Sequence, residues 1–272
     1  MLLLGAASAE AAPQRPIPQR IVSLFPCLDT ILVSLADKNQ IAALSYYARD
    51  PRSSTIAEVA ATLPMTYGTA EEVLALKPDL VVTSAVAEFK TRQALQRMNV
   101  PMALFDVPLS VADSIKQVRQ MAAAVGQPAR GEALVAEIEA ALISAAPPQD
   151  APPITALMFQ ANGFVAGKGV LIDELLTRTG FTNVAPRYQS KQFDIVSLER
   201  IVADPPQALL AGRTESAGRS WADRVVSHPA LSGVKGRMAR AEFPEKFYLC
   251  GGPVIPKTLE LLAEARRGIE AQ

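Results

Sequence analysis

A chain of 272 residues, 49% hydrophobic and 20% charged, is long enough for one large domain or two smaller ones and too apolar for a disordered protein. Lys plus Arg equals Asp plus Glu at 27 each. No basic excess therefore points to nucleic acid, and no polybasic cluster to an anionic membrane surface.

The N-terminus reads as the remnant of an export signal. Leu2 to Ala7 form a short apolar run, and small residues suited to cleavage after Ala9 or Ala11 follow. A basic leading segment is missing, and a frayed apolar tail is the other reading. A Pro-rich lead-in follows from Glu10 to Gln19. No run approaches the 18 or so apolar residues that cross a bilayer, so a soluble, periplasmic protein is expected.

The chain then alternates apolar strands with amphipathic helices. Strands are predicted at Arg20–Leu24, Ile41–Leu44, Leu80–Thr83 and Met102–Phe105, with Phe25–Cys27 as a turn. The helices between are placed at Leu28–Ala36, Thr55–Ala61 and Ala87–Met98. Such alternation implies right-handed crossovers and a parallel sheet. Ser110 caps a helix running to about Val125, Gly126 ends it, and Pro128 opens another. From Pro128 to Ala146 the residues are Ala-, Glu- and Leu-rich, with Leu134, Ile138 and Leu142 recurring every fourth position. The break Pro147–Pro153 follows, midway along the chain. This helix is read as a rigid connector, which divides the chain into a lead-in (1–19), an N-terminal lobe (20–127), the connector (128–146) and a C-terminal lobe (147–272).

The second lobe repeats the pattern. A strand is expected at Ile154–Phe159, a loop at Gln160–Gly169, and a helix at Leu171–Arg178 stopped by Gly180. A loop from Asn183 to Phe193 and another from Arg213 to Gly218 precede a helix near Trp221–Val226. Short strands at Met238–Glu242 and Phe247–Leu249 lead to a closing helix at Pro256–Ile269. The predicted fold class is α/β, with two Rossmann-like lobes, central parallel sheets and one long joining helix.

Two stretches follow one template. Glu71-Glu72-Val73-Leu74-Ala75-Leu76-Lys77-Pro78-Asp79-Leu80-Val81-Val82 matches Glu199-Arg200-Ile201-Val202-Ala203-Asp204-Pro205-Pro206-Gln207-Ala208-Leu209-Leu210. Each reads as a helix opened by a glutamate, a proline stop, and a buried strand. A single copy would be an ordinary dipole-stabilising glutamate. The recurrence nearly half a chain apart puts one glutamate at the same place in each lobe.

Arg20-Ile-Val-Ser-Leu, the first glutamate motif, Gly167-Lys-Gly with Asp173-Glu-Leu-Leu, Gly180 with Asn183, and Ser197-Leu-Glu occur in family order. Together they resemble the helical-backbone substrate-binding proteins of ABC importers for ferric siderophores, haem and cobalamin. The likeness runs over nearly all of Arg20 to Gln272. It implies a ligand cleft between two lobes and one surface glutamate per lobe docking on a permease of the inner membrane. Those positions match Glu71 and Glu199; Glu72 is off register against Glu199. The expected cargo is a small-molecule metal chelate, a ferric siderophore or corrinoid ahead of haem, with no covalently bound cofactor and a monomeric protein.

Ligands of open α/β sheets sit beyond the C-terminal strand ends. That rule selects Pro26, Cys27, Tyr46, Tyr47, Tyr67, Phe164, Phe193, Arg213, Trp221 and Cys250. Aromatic faces suit a flat chelate and arginines an anionic one; plain core packing is the alternative for each aromatic. Phe193, six residues before Glu199, also matches a position where the family places a cleft aromatic. Cys27 and Cys250 are left open between a disulfide, two buried thiols, and contact with ligand or metal.

Two other functions compete. A chelatase-like enzyme would need histidine or clustered carboxylates in its cleft, but the sole histidine, His228, has no local partner in sequence. No Gly-x-Ser-x-Gly, phosphate loop, His-Glu-x-x-His or Cys-x-x-Cys motif occurs. A binder of bare metal ions would have one histidine and two remote thiols to work with, a poor ligand set.

Overall fold

The structure, a computed structural model, describes residues 16–86, 89–188, 191–212, 228 and 236–271. The expected Arg213 loop and Trp221–Val226 helix lie outside these residues.

The first sheet holds β1 (Ile21–Ser23), β2 (Ile41–Ser45), β3 (Met65–Thr66), β4 (Leu80–Ser84) and β5 (Met102–Phe105) in the order β3-β2-β1-β4-β5. All its pairings are parallel. The helices between are α1 (Pro26–Leu35), α2 (Ala57–Ala60), α3 (Ala70–Ala75) and α4 (Phe89–Arg97). Chain order reverses between β1 and β4, which makes their C-terminal ends the switch point of this sheet.

Two antiparallel-packed connecting helices come next. Ser110 Oγ accepts a hydrogen bond from the Asp113 N–H and caps α5 (Val111–Ala124). Gly126, at φ +77, turns the chain, and Pro128 opens α6 (Pro128–Ser144). Proline suits that first position because no intrahelical partner awaits its missing N–H. Helix α6 packs on α5 and on the closing helix α9 (Ile255–Glu270), which are separated by most of the second sheet.

The second sheet has the expected parallel centre and gains two antiparallel strands at one side. Strands β6 (Ile154–Phe159), β10 (Ala208–Ala211) and β11 (Ala239–Glu242) run parallel, and β8 (Phe181–Asn183) pairs parallel with the start of β6. Strands β7 (Phe164–Ala166) and β9 (Phe193–Ile195) are antiparallel additions. Asn162 and Gly163, at φ 61 and 78, fold the chain straight back from β6 into β7. The short loop predicted over Gln160–Gly169 is therefore a hairpin that carries Phe164 on a strand, and Phe193 opens β9 rather than closing a loop. Helices α7 (Leu171–Arg178) and α8 (Leu198–Ala203) complete this half.

Two further boundaries differ. Helix α1 begins at Pro26, because Phe25 is already an extended N-cap and proline fits the first turn. Residues expected as a strand at Phe247–Leu249 instead form a 3₁₀ turn over Glu245–Phe247.

The central strands β1, β4, β6 and β10 are buried on both faces, which explains their unbroken apolar runs. In β4, Leu80 and Val82 enter the core shared with α5, α6 and α9, while Val81 packs with Val22, Ala43 and Leu95 on the opposite side. In β10, Ala208 and Leu210 face that same shared core, and Leu209 and Ala211 pack with Phe159 and Tyr188. Each fully buried Leu or Val contributes about 1.5–3 kcal/mol. The shared core is continuous from one sheet to the other.

Cys27 and Cys250 form a disulfide across this arrangement, with Cα atoms 5.1 Å apart and 223 positions between them in sequence. It joins α1 of the first half to the segment entering α9. A loop of that size corresponds to a nominal gain of about 5 kcal/mol when only chain entropy is counted.

Candidate functional site

An open cleft lies where the switch point of the first sheet faces the second half. From the first half come Phe25 after β1, Ser84 ending β4, and Phe105 to Leu109 leaving β5. The second half supplies Phe164 on β7, Val170 to Ile172 at the start of α7, Phe193 on β9, and Tyr248, Leu249 and Gly251.

The aromatic wall has defined geometry. Residues facing each other across β7 and β9 are Ala166 with Phe193 and Phe164 with Ile195, so Phe164 and Phe193 are diagonal neighbours. Their rings stack at 5.8 Å between centroids, tilted by 10°. Tyr248 meets Phe164 edge to face at 6.1 Å. Phe193 remains 45% exposed, a large cost for a purely structural ring. Asp106 is the one formally charged side chain among the described lining residues, so the cleft offers area and shape more than charge.

The sequence-selected residues divide into groups. Cys27, Phe164 and Phe193 line the cleft. Cys250 is buried and disulfide-bonded, and Pro26 sits in the first turn of α1 without lining the cavity. Tyr46, Tyr47 and Tyr67 surround a smaller hollow with Ser45, Thr66 and Gly68, farther along the same C-terminal sheet edge. Their rings cluster at 3.9 Å (Tyr46 to Tyr47) and 5.3 Å (Tyr46 to Tyr67), and Tyr67 is 61% exposed. Arg213 and Trp221 lie outside the described residues.

Sequence reasoning missed Phe25, Phe105, Leu109, Leu171 and Tyr248. Phe105 and Leu109 obey the same strand-end rule that selected Tyr46 and were available to it. Tyr248 was hidden by its assignment to a strand.

Asp29 lies beneath the tyrosine hollow. Its carboxylate, on α1, accepts hydrogen bonds from Ser45 Oγ at 2.5 Å and Ser45 N at 3.3 Å. Burial raises its pKa to about 7, only partly offset by the Ser23 and Ser45 hydroxyls and the Ser45 N–H.

The two template glutamates occupy equivalent places. Each stands second in a six-residue helix, after Thr69 in α3 and after Ser197 in α8, and each is exposed. Glu72 is turned inward, where its carboxylate accepts hydrogen bonds of 2.7 Å from Thr66 Oγ1 and from the Tyr67 N–H. The Glu199 carboxyl is held below the usual range by its own backbone N–H, then by the Ser197 hydroxyl, with the charge of His228 adding to the effect. His228 thus stands within electrostatic reach of Glu199, a neighbour that the local sequence did not reveal.

Among the described residues no group of three His, Cys, Asp or Glu side chains is placed to hold a metal ion. Both cysteines are already joined to each other. No described helix is long and apolar enough to cross a membrane.

Comparison with known proteins agrees with this architecture. The profile of a family described as "Periplasmic binding protein" matches residues 21–236. Among solved structures, the periplasmic heme-binding protein RhuT from Roseiflexus sp. RS-1 is 25% identical with a TM-score of 0.71, covering 93% of this chain and 98% of its own. A periplasmic heme-binding protein from Pseudomonas aeruginosa is 21% identical with a TM-score of 0.71, covering 92% of each chain. The periplasmic vitamin B12-binding protein BtuF of Vibrio cholerae is 15% identical with a TM-score of 0.71, covering 94% of this chain and 99% of its own. No curated protein matches the sequence.

Proposed function

The chain belongs to the periplasmic binding protein family, and from that premise we propose that it is the substrate-binding component of an ABC importer for a planar metal chelate. It is a binding protein, not an enzyme. In this reading, residues 20–127 and 147–272 act as two lobes and α6 as the connector between them. The cargo enters the cleft between the lobes, and the exported monomer delivers it to a permease of the inner membrane.

The observation that carries the reading is the apolar cleft walled by the stacked Phe164 and Phe193 rings. A flat macrocycle buries its faces against such a wall at low entropic cost. Haem and corrinoids have that shape, and a periplasmic heme-binding protein and a periplasmic vitamin B12-binding protein share the fold. A ferric siderophore, often anionic, finds little matching charge among the described lining residues. This ranks the macrocycles ahead of the siderophores.

The test is a titration of the purified protein with hemin, cyanocobalamin, dicyanocobinamide, a ferric catecholate and a ferric hydroxamate, followed by absorbance and Trp221 fluorescence. Saturable one-to-one binding of a macrocycle is expected. Binding only of a siderophore, or of none of the five, overturns the reading.

A further inference from the structure

The cleft wall contains one polar group whose chemistry the fold leaves unused. Tyr248 is only 8% exposed and lines the cleft, and its phenol oxygen is shielded from solvent with no hydrogen-bond partner among the described residues. An orphaned buried hydroxyl is costly, and a fold retains one where it later finds a partner. Phenylalanine would fill the same space at no such cost.

The backbone on either side is fixed. Cys250 is bonded to Cys27 on α1. The Gly252 N–H donates to Ser114 Oγ on α5 at 2.7 Å. Gly252 also takes φ +60 and lies so near Ile31 that an added Cβ would come within 2.9 Å of its side chain. Two bonds to the first half therefore hold the backbone that carries Tyr248.

Building on the cargo reading above, we propose that Tyr248 is a specificity-determining contact of the cleft. When cargo enters, its ring turns on this fixed backbone, and its hydroxyl donates a hydrogen bond to an acceptor oxygen at the edge of the macrocycle. That oxygen is a carboxylate or an amide carbonyl. Burial, and then the Glu245 carboxylate, push the phenol well above its ordinary pKa. The group therefore meets the cargo as a protonated O–H donor.

The experiment compares the full-length wild type with Tyr248→Phe, reading thermal stability and dissociation constants for hemin, cyanocobalamin and dicyanocobinamide. The variant should be as stable as wild type or more so, because the orphaned hydroxyl is gone, while its affinity for the bound probe falls about five- to tenfold. Loss confined to hemin assigns a carboxylate acceptor, and loss confined to the corrinoids assigns an amide. Unchanged affinity overturns the proposal, as does a loss of binding accompanied by an equal loss of stability, which marks the phenol as structural. A wild type that binds none of the probes overturns the cargo reading itself and this inference with it. Ser114→Ala supplies a second check: loosening the backbone should weaken binding in wild type and have less effect in Tyr248→Phe, and equal effects in both count against the proposal.

Discussion

Glu72 Oε2 accepts a hydrogen bond of 2.7 Å from Thr66, and so two adjacent glutamates have different duties. Glu72 closes the turn between β3 and α3, while Glu71 presents a carboxylate to solvent. Glu72→Ala should cost about 1 kcal/mol of stability, through two lost bonds to the turn. Glu71→Ala should stay within about 0.5 kcal/mol of wild type. Urea unfolding of both variants checks this.

In the proposed function the two exposed glutamates serve delivery and the cleft serves binding. Glu71→Arg with Glu199→Arg should leave cargo affinity unchanged and stop uptake in cells carrying the cognate permease. Undiminished uptake by the double variant would remove the docking role from both residues.

The stacked pair should matter more to cargo than to folding. Phe193 is half-exposed on β9, so Phe193→Ala should lower macrocycle affinity about tenfold and stability by no more than about 1 kcal/mol. Phe164, packed against both Phe193 and Tyr248, should lose stability as well as affinity on truncation to Ala. Isothermal titration beside thermal melts distinguishes the two.

Asp29 makes stability depend on pH. Its carboxyl is raised from 3.8 to about 7, so the folded protein holds this proton more tightly than the unfolded chain does. The contribution is most favourable at low pH, declines as pH rises through the window from about 4 to 7, and is flat above it. Asp29→Asn keeps an acceptor for Ser45 but cannot ionise. Between pH 5 and 7 its stability should rise relative to wild type by roughly 1 kcal/mol per pH unit. Urea unfolding at pH 5, 6, 7 and 8 gives the slopes; parallel slopes would exclude Asp29 as the cause.

Arg266 ties the closing helix to the second sheet. Its buried guanidinium donates to the Gly180 carbonyl and, at 2.7 Å, to the Pro152 carbonyl, and pairs with Glu270 at 2.9 Å. Arg266→Ala should cost about 3 kcal/mol, because carbonyls and a carboxylate lose a desolvated partner together. A fall in the unfolding midpoint with an unchanged denaturant slope is the expected signature.

The amino-acid pattern alone determined most of the architecture. Apolar runs bounded by proline and glycine located β1, β2, β4, β5, β6 and β10, and Ser110, Gly126 and Pro128 marked the ends of α5 and α6 within a residue or two. These signals are local, since a cap, a ring without an N–H and a left-handed glycine act within one turn of chain. The repeated template also located Glu71 and Glu199, because position in a helix is set by the nearest N-cap.

Tertiary structure decided what local signals do not encode. The return of β7 and β9 onto β6 was invisible, since three-residue strands carry too little periodicity and their pairing depends on distant partners. Pairing Cys27 with Cys250 required two ends of the chain to meet within 5.1 Å, which spacing in sequence cannot reveal. The strand-end rule proposed both groups of aromatics alike. Only packing separated Phe164 and Phe193, brought into the cleft by antiparallel register, from Tyr46, Tyr47 and Tyr67 farther along the edge, and buried the phenol oxygen of Tyr248 with no hydrogen-bond partner among the described residues.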